Sequence, residues 1–412
     1  MEARQQRGLE IAAKFKIFKK DDGTWSVPSQ AGKGRYAIEM GKQPQCSCPD
    51  YETHHSKCKH IFAVEFVLER ERHEDGSETI TEQITVTETI QRKTYPQNWT
   101  AYNTAQTTEK TEFQHLLYSL CAGVEEPEQV KGRPRIPLSD AVFSVAFKVY
   151  STVSGRRFIC DLTDAHAKGY IQKVPHFNSI FNYLELPAMT PVLTDLITES
   201  SLPLAAVESD FGVDSTGFGT TRFTTWFNTK YGDVRDQHDW VKTHICAGLN
   251  TNVVTAVQIS ERYAHDAPFL PQLVQKTAES FNVQRVMADK GYSSRDNLKF
   301  VEQIGATPYI AFKRNAKPDA NRCFNKAKAS TWTRMYHLYS LRRDEFLAQY
   351  HKRSNIESTF MAIKAKFGDA VRSKTPVAQA NEVLCKILCH NICCVIQSIH
   401  ELGIEPEFGK VA

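Results

Sequence analysis

Four polar residues near the C-terminus have a spacing that an α-helix brings onto one face. Tyr350, Arg353, Glu357 and Lys364 lie three, four and seven residues apart. At about 100° per residue, a helix places all four within a wedge of roughly 60°. That face carries a phenol, a guanidinium, a carboxylate and an ammonium, which together suit a divalent cation and phosphate groups. Because a single carboxylate binds a metal ion weakly, the pattern requires further carboxylates from other elements.

Two upstream aspartates supply candidate carboxylates at the ends of predicted strands. The mostly apolar run 202–207 predicts a strand that delivers Asp214 at its C-terminal end. The run 283–288 predicts a second strand, and Asp289 follows it directly. These two strand ends provide the partners that Glu357 needs.

The segment between the aspartates predicts more of the same sheet. Residues 242–247 and 253–259 are β-rich runs, and the Gly-Asn-containing stretch between them is typical of a hairpin. Asp266 is expected to cap a helix that Pro268 helps to open, which makes it a weaker candidate for a metal ligand. The order strand, strand, strand, helix, strand, followed by the Glu357 helix, predicts an α/β fold with a mixed sheet.

At these residues the chain resembles the DDE transposases of bacterial insertion sequences. The resemblance covers residues 135–400 and includes a Tyr-(2)-Arg-(3)-Glu-(6)-Lys signature that is matched at every position. The residues that carry it are Asp214, Asp289, Tyr350, Arg353, Glu357 and Lys364. The family implies a ribonuclease H-like catalytic core and the activity of a transposase, which cuts DNA at inverted-repeat ends and transfers the strands.

The resemblance also implies the cofactors of that reaction. Asp214, Asp289 and Glu357 are expected to hold two Mg²⁺ ions, for which Mn²⁺ can substitute. One ion activates the attacking water or 3′-hydroxyl, and the other stabilises the leaving 3′-oxygen. Carboxylate and water oxygens are the ligands that this hard cation prefers.

The remaining tetrad residues are expected to contact DNA. Arg353 and Lys364 are placed on phosphates beside the scissile bond, with Tyr350 packing or hydrogen-bonding next to them. Residues 341–374 carry eight Lys or Arg against four Asp or Glu, a surplus of +4 that equals the formal charge of the whole chain. The implied partner is double-stranded DNA, both transposon ends and target, bound by a homodimer.

These residues also have plainer interpretations. A charged helix face is commonly solvated and held by i,i+4 ion pairs, and Asp214 could be a turn residue. Rival carboxylates lie nearby at Glu208, Asp210, Asp233, Asp236 and Asp239. Two other functions stay open: a catalytically silent, transposase-derived DNA-binding protein, and a metal-dependent nuclease without strand transfer. The intact carboxylate set favours an active transposase.

A second constellation lies near the N-terminus. The candidate ligands are Cys46, Cys48, Cys58 and His60. Their spacing, Cys-x-Cys, nine residues, then Cys-x-His, resembles the SWIM zinc finger. Three thiolates and one imidazole complete a tetrahedral shell, so the one Zn²⁺ expected per chain is structural. The histidines at 54 and 55 lie inside the loop and are treated as loop residues, and the partner of the finger, DNA or protein, stays open.

Short elements are predicted around these ligands. Residues 25–28 and 35–40 are expected to be strands of a small hairpin with its turn at 32–34, and residues 61–70 an amphipathic helix. A module this small holds little core, and metal binding makes up the deficit.

Composition and pattern divide the chain into four segments. They are a zinc module at 1–71, a polar linker at 72–112, a helical region at 113–200 and a catalytic domain with a C-terminal helix at 201–412. The linker is dense in Thr, Glu and Gln and has one candidate exposed strand at 80–90. At 412 residues, 41% of them hydrophobic, the chain is long enough for two or three domains.

The helical region has two interpretations. Helices are predicted at 141–153, 158–168 and 177–186, and they form either a helix-turn-helix unit that reads the transposon end or a module that packs on the catalytic core. The basic stretch 131–135 is either an arm for the minor groove or, with better odds, a plain connector.

Three further features bear on the site and the compartment. Trp332 could stack on a flipped base, although packing is favoured. The 68 residues from Asp289 to Glu357 leave room for a strand at 311–314 and argue against a large insertion domain. The N-terminus is polar and no membrane span is visible, so the protein is expected in the cytoplasm.

The C-terminal run 383–396 combines apolar residues with possible ligands. These are Cys385, Cys389, His390, Cys393 and Cys394. Spacing by four makes a second metal site conceivable. A buried helix of reduced cysteines is the favoured interpretation, because intracellular cysteines commonly act as small apolar residues.

Overall fold

The computed structural model describes residues 3–30, 34–72, 78–82, 98–128, 135–220, 239–319 and 329–408. Predictions for the turn at 32–33, for residues 83–90 and 131–134, and for Asp233 and Asp236 therefore lie outside the described residues. The chain divides into two compact units, Met1–Pro96 and Gln97–Ala412, which are described in turn.

The N-terminal unit combines a small antiparallel sheet with short helices. The sheet strands, in spatial order, are β1 (Phe18–Lys19), β2 (Trp25–Pro28), β3 (Arg35–Glu39) and β4 (Gln45–Cys46). The helices are α1 (Ala3–Lys14), α2 (Pro49–His54) and α3 (Lys59–Val67). The predicted strands at 25–28 and 35–40 are confirmed. Apolar residues of β2, β3 and α3 pack with the buried cysteines in one core.

The predicted helix at 61–70 is too long. It ends at Val67, and the chain continues as β5 (Leu68–Arg72), which pairs antiparallel with β6 (Glu78–Glu82). The prediction failed because the partner strand lies in the segment taken for a linker, and periodicity within one segment does not reveal a ladder partner. Of the candidate strand at 80–90, the described residues 80–82 form the end of β6.

The second unit is built around a five-stranded mixed sheet. Its strands are β7 (Asp210–Gly219), β8 (Trp240–Gly248), β9 (Val254–Ser260), β10 (Arg285–Ala288) and β11 (Thr307–Ile310). The spatial order is β11-β10-β7-β8-β9. The strands β7, β10 and β11 are parallel, while β8 pairs antiparallel with both β7 and β9. The predicted mixed sheet and the β8–β9 hairpin are confirmed.

Two strand predictions were displaced along the chain. Leu202–Leu204 is a 3₁₀ turn rather than a strand, because it continues the preceding helix and contains Pro203, and β7 begins only at Asp210. Asp214 therefore lies inside a strand. The strand expected at 311–314 is β11, four residues earlier, where it pairs with β10.

Helices cover both faces of the sheet. In chain order they are α4 (Trp99–Cys121), α5 (Leu138–Ser151), α6 (Gly155–Ala167), α7 (Phe177–Leu184), α8 (Met189–Ser201), α9 (Leu270–Ala278), α10 (Arg295–Gln303), α11 (Thr331–Leu341), α12 (Arg343–Tyr350), α13 (Ser354–Phe367) and α14 (Pro376–Leu402). Residues of α4 to α8, α13 and α14 share a core with one sheet face, represented by Phe218 and Ile245. Residues of α9 to α12 pack on the other face, represented by Val213 and Cys246.

This packing changes the predicted segment boundaries. The linker expected at 72–112 overlaps α4, which starts at Trp99; its exposed Thr-rich face gave the segment the composition of a linker, while Ala101 and Ala105 are buried. The helices predicted at 141–153, 158–168 and 177–186 are confirmed as α5, α6 and α7 within a few residues, and α8 was missed. Since α5 to α8 share a core with the sheet, 113–200 is not a separate body.

The helix α14 is long and apolar. Among the described residues it is the one helix with the length and composition of a membrane span, yet 72% of its most apolar window is buried inside the protein. Cys385 and Cys389 lie fully buried on it. We therefore describe α14 as a core helix.

Candidate active site and zinc site

The two predicted aspartates lie level with each other on neighbouring strands. The parallel register pairs Val213 of β7 with Ala288 of β10, so the next residues, Asp214 and Asp289, are adjacent across the sheet. In each carboxylate, Oδ1 accepts a hydrogen bond from the backbone N–H of the next residue. Ser215 N donates to Asp214 at 2.9 Å, and Lys290 N donates to Asp289 at 2.7 Å.

Glu357 reaches this site from α13 through an arginine. Arg353 places Nη1 3.3 Å from Asp214 Oδ2 and Nη2 2.6 Å from Glu357 Oε1. The Glu357 side chain is 60% exposed, whereas that of Asp214 is 22% exposed. The guanidinium thus links a strand carboxylate to a helix carboxylate.

The tetrad does not lie on one continuous α-helix. Tyr350 ends α12, Arg353 ends a 3₁₀ turn over His351–Arg353, and Glu357 and Lys364 lie on α13. Contacts to β7 hold this tighter turn, because Lys352 Nζ lies 2.9 Å from Asp210 Oδ2 while the next residue, Arg353, bonds Asp214. Residue spacing alone cannot distinguish a 3₁₀ turn from an α-helical turn, because both are right-handed turns of nearly the same length.

Tyr350 packs beside this turn. Its ring stacks on Phe346 at 5.8 Å, and the Arg353 guanidinium carbon lies 5.9 Å from the ring centroid. Burial raises the pKa of the Tyr350 hydroxyl, with Asp289 adding to the effect and Arg353 opposing it. The phenol therefore stays protonated at neutral pH and can donate a hydrogen bond near Asp289.

Lys364 lies on α13, seven residues after Glu357. Its Nζ donates to Thr216 Oγ1 at 2.7 Å and sits 5.3 Å from the Phe218 ring. Burial lowers the pKa of this ammonium, and Asp369 opposes the shift. Lys364 lines an open cleft of about 650 Å³ together with Asp214, Thr216 and Glu357.

The described rival carboxylates have structural partners. Asp210 is bonded by Arg285 at 2.6 Å and by Lys352, and Asp239 pairs with Arg262 at 3.2 Å. Glu208 accepts the backbone N–H groups of Asn250 and Thr251 and closes the β8–β9 turn. Of the candidate set, Asp214 and Glu357 line the cleft, and Asp289 lies beside Asp214 on the neighbouring strand.

The charge balance of the site favours a cation. Burial raises the pKa of Asp214; the Ser215 N–H and Arg353 lower it, and the charges of Asp289 and Glu357 raise it further. Three carboxylates that repel one another are stabilised by a bound divalent ion, and their hard oxygen donors fit Mg²⁺ or Mn²⁺. The donor set thus fits the metal that the sequence implied.

A fourth carboxylate beside the site, Asp266, does not have the helix-capping role that the sequence predicted. Asp266 precedes a 3₁₀ turn, but its side chain makes no cap hydrogen bond there. Instead its Oδ1 accepts from Ser215 Oγ at 3.1 Å and pairs with Lys242 Nζ at 2.7 Å. Because Ser215 follows Asp214, this pair holds the strand that carries Asp214. No local sequence signal links residues 51 positions apart.

Trp332 is a packing residue in the structure. It is 7% exposed, its ring meets Phe312 at 4.8 Å, and its indole N–H donates to Lys317 O at 2.8 Å. Stacking on a flipped base would require this side chain to leave the core, so the packing interpretation is the one the structure favours.

The four predicted zinc ligands converge in the N-terminal unit. The ligand atoms of Cys46, Cys48, Cys58 and His60 all lie within 4.8 Å of one another, and all four residues are buried. His60 Nδ1 is 4.0 Å from Cys46 Sγ and 3.9 Å from Cys58 Sγ, close to the edge of a tetrahedral Zn²⁺ shell, which is roughly 3.5 Å. Hydrogen bonding from Cys46 lowers the pKa of Cys58, which favours a thiolate at this ligand.

Two family matches cover the two sites. Residues 206–392 match the transposase DDE domain, and residues 38–69 match the SWIM zinc finger. A search of curated proteins found no match. The matched ranges contain every candidate catalytic residue and every candidate zinc ligand described above.

Proposed function

Since the chain contains a transposase DDE domain and a SWIM zinc finger, we propose that it is an active transposase that cleaves DNA at the inverted-repeat ends of an insertion sequence and transfers the strands. The observation that carries the proposal is the juxtaposition of Asp214 and Asp289 by strand register, with Glu357 linked to Asp214 through Arg353. A protein kept only for DNA binding has no use for this complete set.

We assign the sheet to the ribonuclease H-like class. The strand order β11-β10-β7-β8-β9, with three antiparallel strands and two added parallel ones, supports this assignment. In this arrangement the central strand carries Asp214 and the neighbouring parallel strand presents Asp289.

The residues of the site have distinct roles in this reaction. Asp214, Asp289 and Glu357 would hold two Mg²⁺ ions, which supply Lewis acidity to the attacking and leaving oxygens when bound. Arg353 and Lys364 orient the DNA strand through phosphate oxygens. Tyr350 donates a hydrogen bond at the rim of the site, and its raised pKa keeps that proton in place.

The proposed substrate is double-stranded DNA, and the proposed assembly is a homodimer on paired ends. Two ends must be joined in one complex before strand transfer, which supports a dimer on DNA. The zinc module, a closed shell of three thiolates and one imidazole, is a structural element of this protein and not a second catalytic centre.

The test uses DNA that carries the sequences flanking the gene. With Mg²⁺, the protein is expected to cut at the repeat ends and to join the 3′-ends to target DNA. Asp289→Asn should reduce both products by at least about 100-fold, because one metal ligand loses its charge. Asp239→Asn, the same chemical change at an exposed residue paired with Arg262, is the control and should react like the wild type.

Two outcomes would replace the proposal. Specific binding with no cleavage in either protein supports the silent DNA-binding alternative. Cleavage without any joined product supports the nuclease alternative. Cleavage that survives Asp289→Asn would remove Asp289 from the site.

A further inference from the structure

Lys148 is a largely buried lysine whose ammonium makes no hydrogen bond to the residues that the structure describes. It lies on α5 in the second unit and is 8% exposed. Across the part of the chain that the structure describes, no acceptor atom bonds its Nζ. Burying an ammonium without a partner is costly, so a residue of this kind needs another reason to be there.

The neighbourhood of Lys148 does not neutralise it. Burial lowers the pKa of Lys148, the charge of Arg372 lowers it further, and Glu382 opposes them. The carboxylate of Glu382 is already used by other donors, namely the backbone N–H groups of Arg372 at 3.0 Å and Ser373 at 2.8 Å and the Ser373 hydroxyl at 2.7 Å. Of the two charges that act on Lys148, the positive charge of Arg372 has the larger effect on its pKa.

A cavity of about 80 Å³ opens at this cation. Its lining includes Lys148, Arg372, Lys386, Glu382, Phe181 and Phe367. Three cations against one carboxylate leave a surplus of +2. Lys386 Nζ is held by the carbonyl oxygens of Gly368 at 2.9 Å and Ala370 at 2.7 Å. Arg372 is exposed, and its Nη1 donates to Thr152 O at 2.8 Å, which fixes the guanidinium at the cavity.

We propose that this cavity binds a phosphate group through Lys148 and Arg372, and that the phosphate belongs to the DNA backbone. The proposal rests on the proposed function, which brings DNA to this unit. A phosphate oxygen would give Lys148 the charge-assisted hydrogen bond that the described part of the chain does not supply. The arginine at the cavity adds a second donor in the geometry that phosphate favours.

The cavity is connected to the catalytic strand. The segment before Arg372 pairs with the end of β7, because Val371 N donates to Gly219 O at 2.8 Å and Gly219 N donates to Asp369 O at 3.0 Å. Gly219 lies five residues beyond Asp214 on that strand. At about 3.3 Å per residue, Gly219 lies roughly 17 Å along β7 from Asp214, a length of about five nucleotides along a duplex. The site would anchor DNA at a distance from the cleaved bond.

The decisive variant is Lys148→Met, which keeps the length of the side chain and removes the charge. Because it removes an unpaired buried ammonium, we expect its melting temperature to rise. Because it also removes a phosphate contact, we expect its affinity for a 30-base-pair duplex to fall about tenfold, and the slope of log affinity against log salt to shrink by about one. A merely structural lysine would not give this pair of opposite changes.

The matched control is Lys110→Met in the same unit. Lys110 is 57% exposed and pairs with Asp161, so the variant loses the same charge outside the cavity. We expect its DNA affinity to stay within about twofold of the wild type. Equal affinity and equal salt slope for Lys148→Met and the wild type would overturn the proposal.

A second arm identifies the source of the phosphate. Single neutral methylphosphonate linkages are placed along the duplex; one of them should weaken binding by the wild type and leave Lys148→Met unaffected. If inorganic phosphate raises the melting temperature of the wild type while no linkage discriminates the two proteins, the ligand is free phosphate and the DNA assignment is overturned.

Loss of cleavage in Asp289→Asn with unaltered binding by Lys148→Met would reject this site and keep the proposed function. A binding defect in Lys148→Met without any cleavage by the wild type would do the reverse.

Discussion

At the scale of single residues, Arg353 holds the most instructive position. Its two ion pairs engage Asp214 and Glu357, and the proposed reaction assigns the same carboxylates to metal ions. A guanidinium and a metal ion cannot fully occupy the same oxygens. Arg353 must therefore give up at least part of its pairing when metal binds, and it is then close enough to engage a phosphate.

Replacing Arg353 by Gln is expected to separate metal binding from catalysis. Without DNA, Arg353→Gln should bind Mn²⁺ about two- to tenfold more tightly, the worth of one partly exposed ion pair, because a competing cation is gone. Strand transfer should fall, since a phosphate contact is lost. Calorimetric titration with Mn²⁺ measures the first effect.

Lys352→Gln is the control for Arg353→Gln. It removes the same charge one residue earlier, but Lys352 pairs with Asp210, outside the carboxylate set. Its Mn²⁺ affinity should change by less than about twofold. Weaker Mn²⁺ binding by Arg353→Gln than by Lys352→Gln would contradict the competition.

The sequence predicted which residues meet at the candidate site better than it predicted their contacts. Asp289 directly after a strand and Glu357 in a spaced tetrad are local patterns. The partner of Arg353 on β7 lies 139 residues away, and the Lys242–Asp266 support lies behind the strand. Such contacts depend on how segments come together, and no spacing rule within one segment reveals them.

At the scale of elements, the central strand β7 is the least strand-like in sequence. It contains Asp, Ser and three glycines and few β-branched residues, which is why the prediction placed a strand upstream. Pairing on both edges, with β10 and with β8, overrides that weak propensity. The hairpin of β8 and β9 has conventional β composition and was predicted correctly.

Gly217 shows why β7 contains glycine. A Cβ at Gly217 would lie 2.6 Å from Trp240 Cδ1, whereas a Cβ at Gly219 would meet only Ala370 Cβ, at 3.9 Å. Gly217→Ala should therefore lower the free energy of unfolding by about 1–3 kcal/mol through overpacking. Urea denaturation measures the effect.

Gly219→Ala is the matched control on the same strand. It makes an ordinary van der Waals contact, and we expect its stability within about 0.5 kcal/mol of the wild type. Equal stability of the two alanine variants would show that Trp240 yields without cost.

At the scale of the whole molecule, the two units have different sources of stability. The N-terminal unit has a small core in which Cys46, Cys48 and Cys58 are themselves buried, while the second unit has two extended apolar cores. Three helices of the helical region, α5 to α7, were predicted, whereas α8 and the packing of the region on the sheet were not. The pattern of a helix does not show which surface that helix will cover.

Zinc removal is expected to act on the N-terminal unit. Chelation with 1,10-phenanthroline should accelerate amide exchange in residues 34–67 by at least about 100-fold, because binding energy of the metal is folding energy in a module this small. Exchange measured by mass spectrometry, with zinc analysis, gives the answer. Cys58→Ser should behave like the chelated protein, and Cys160→Ser, at an exposed cysteine, like the wild type. Unaltered protection after removal of one zinc per chain would contradict the assignment.

Two buried histidines make the stability of the second unit sensitive to acid. Burial lowers the pKa of both His244 and His390 to about 4, below the ordinary value of 6.5. Their contribution is fully present above pH 6.5 and is lost as the pH falls toward 4, because protonation favours the unfolded chain.

His390→Gln tests this pH dependence. His390 Nε2 lies 2.9 Å from Asn252 O, and glutamine can donate the same bond without titrating. Between pH 6.5 and 4.5 the variant should lose about 2 kcal/mol less free energy of unfolding than the wild type. His54→Gln, at an exposed histidine, should follow the wild type. Parallel pH curves for His390→Gln and the wild type would be inconsistent with a neutral buried ring.

Because a 3₁₀ turn joins α12 to α13, the segment from Tyr350 to Lys364 tolerates no change in length. One extra residue after Arg353 would rotate everything beyond it by about 100°, moving Glu357 and Lys364 off the groove while leaving all four signature residues in the sequence. A gene copy with such an insertion would keep the four residue types, would lose the Arg-(3)-Glu spacing of the signature, and would lose activity. When copies of this gene are compared, the length of this segment is therefore as diagnostic of an active enzyme as the identities of its residues.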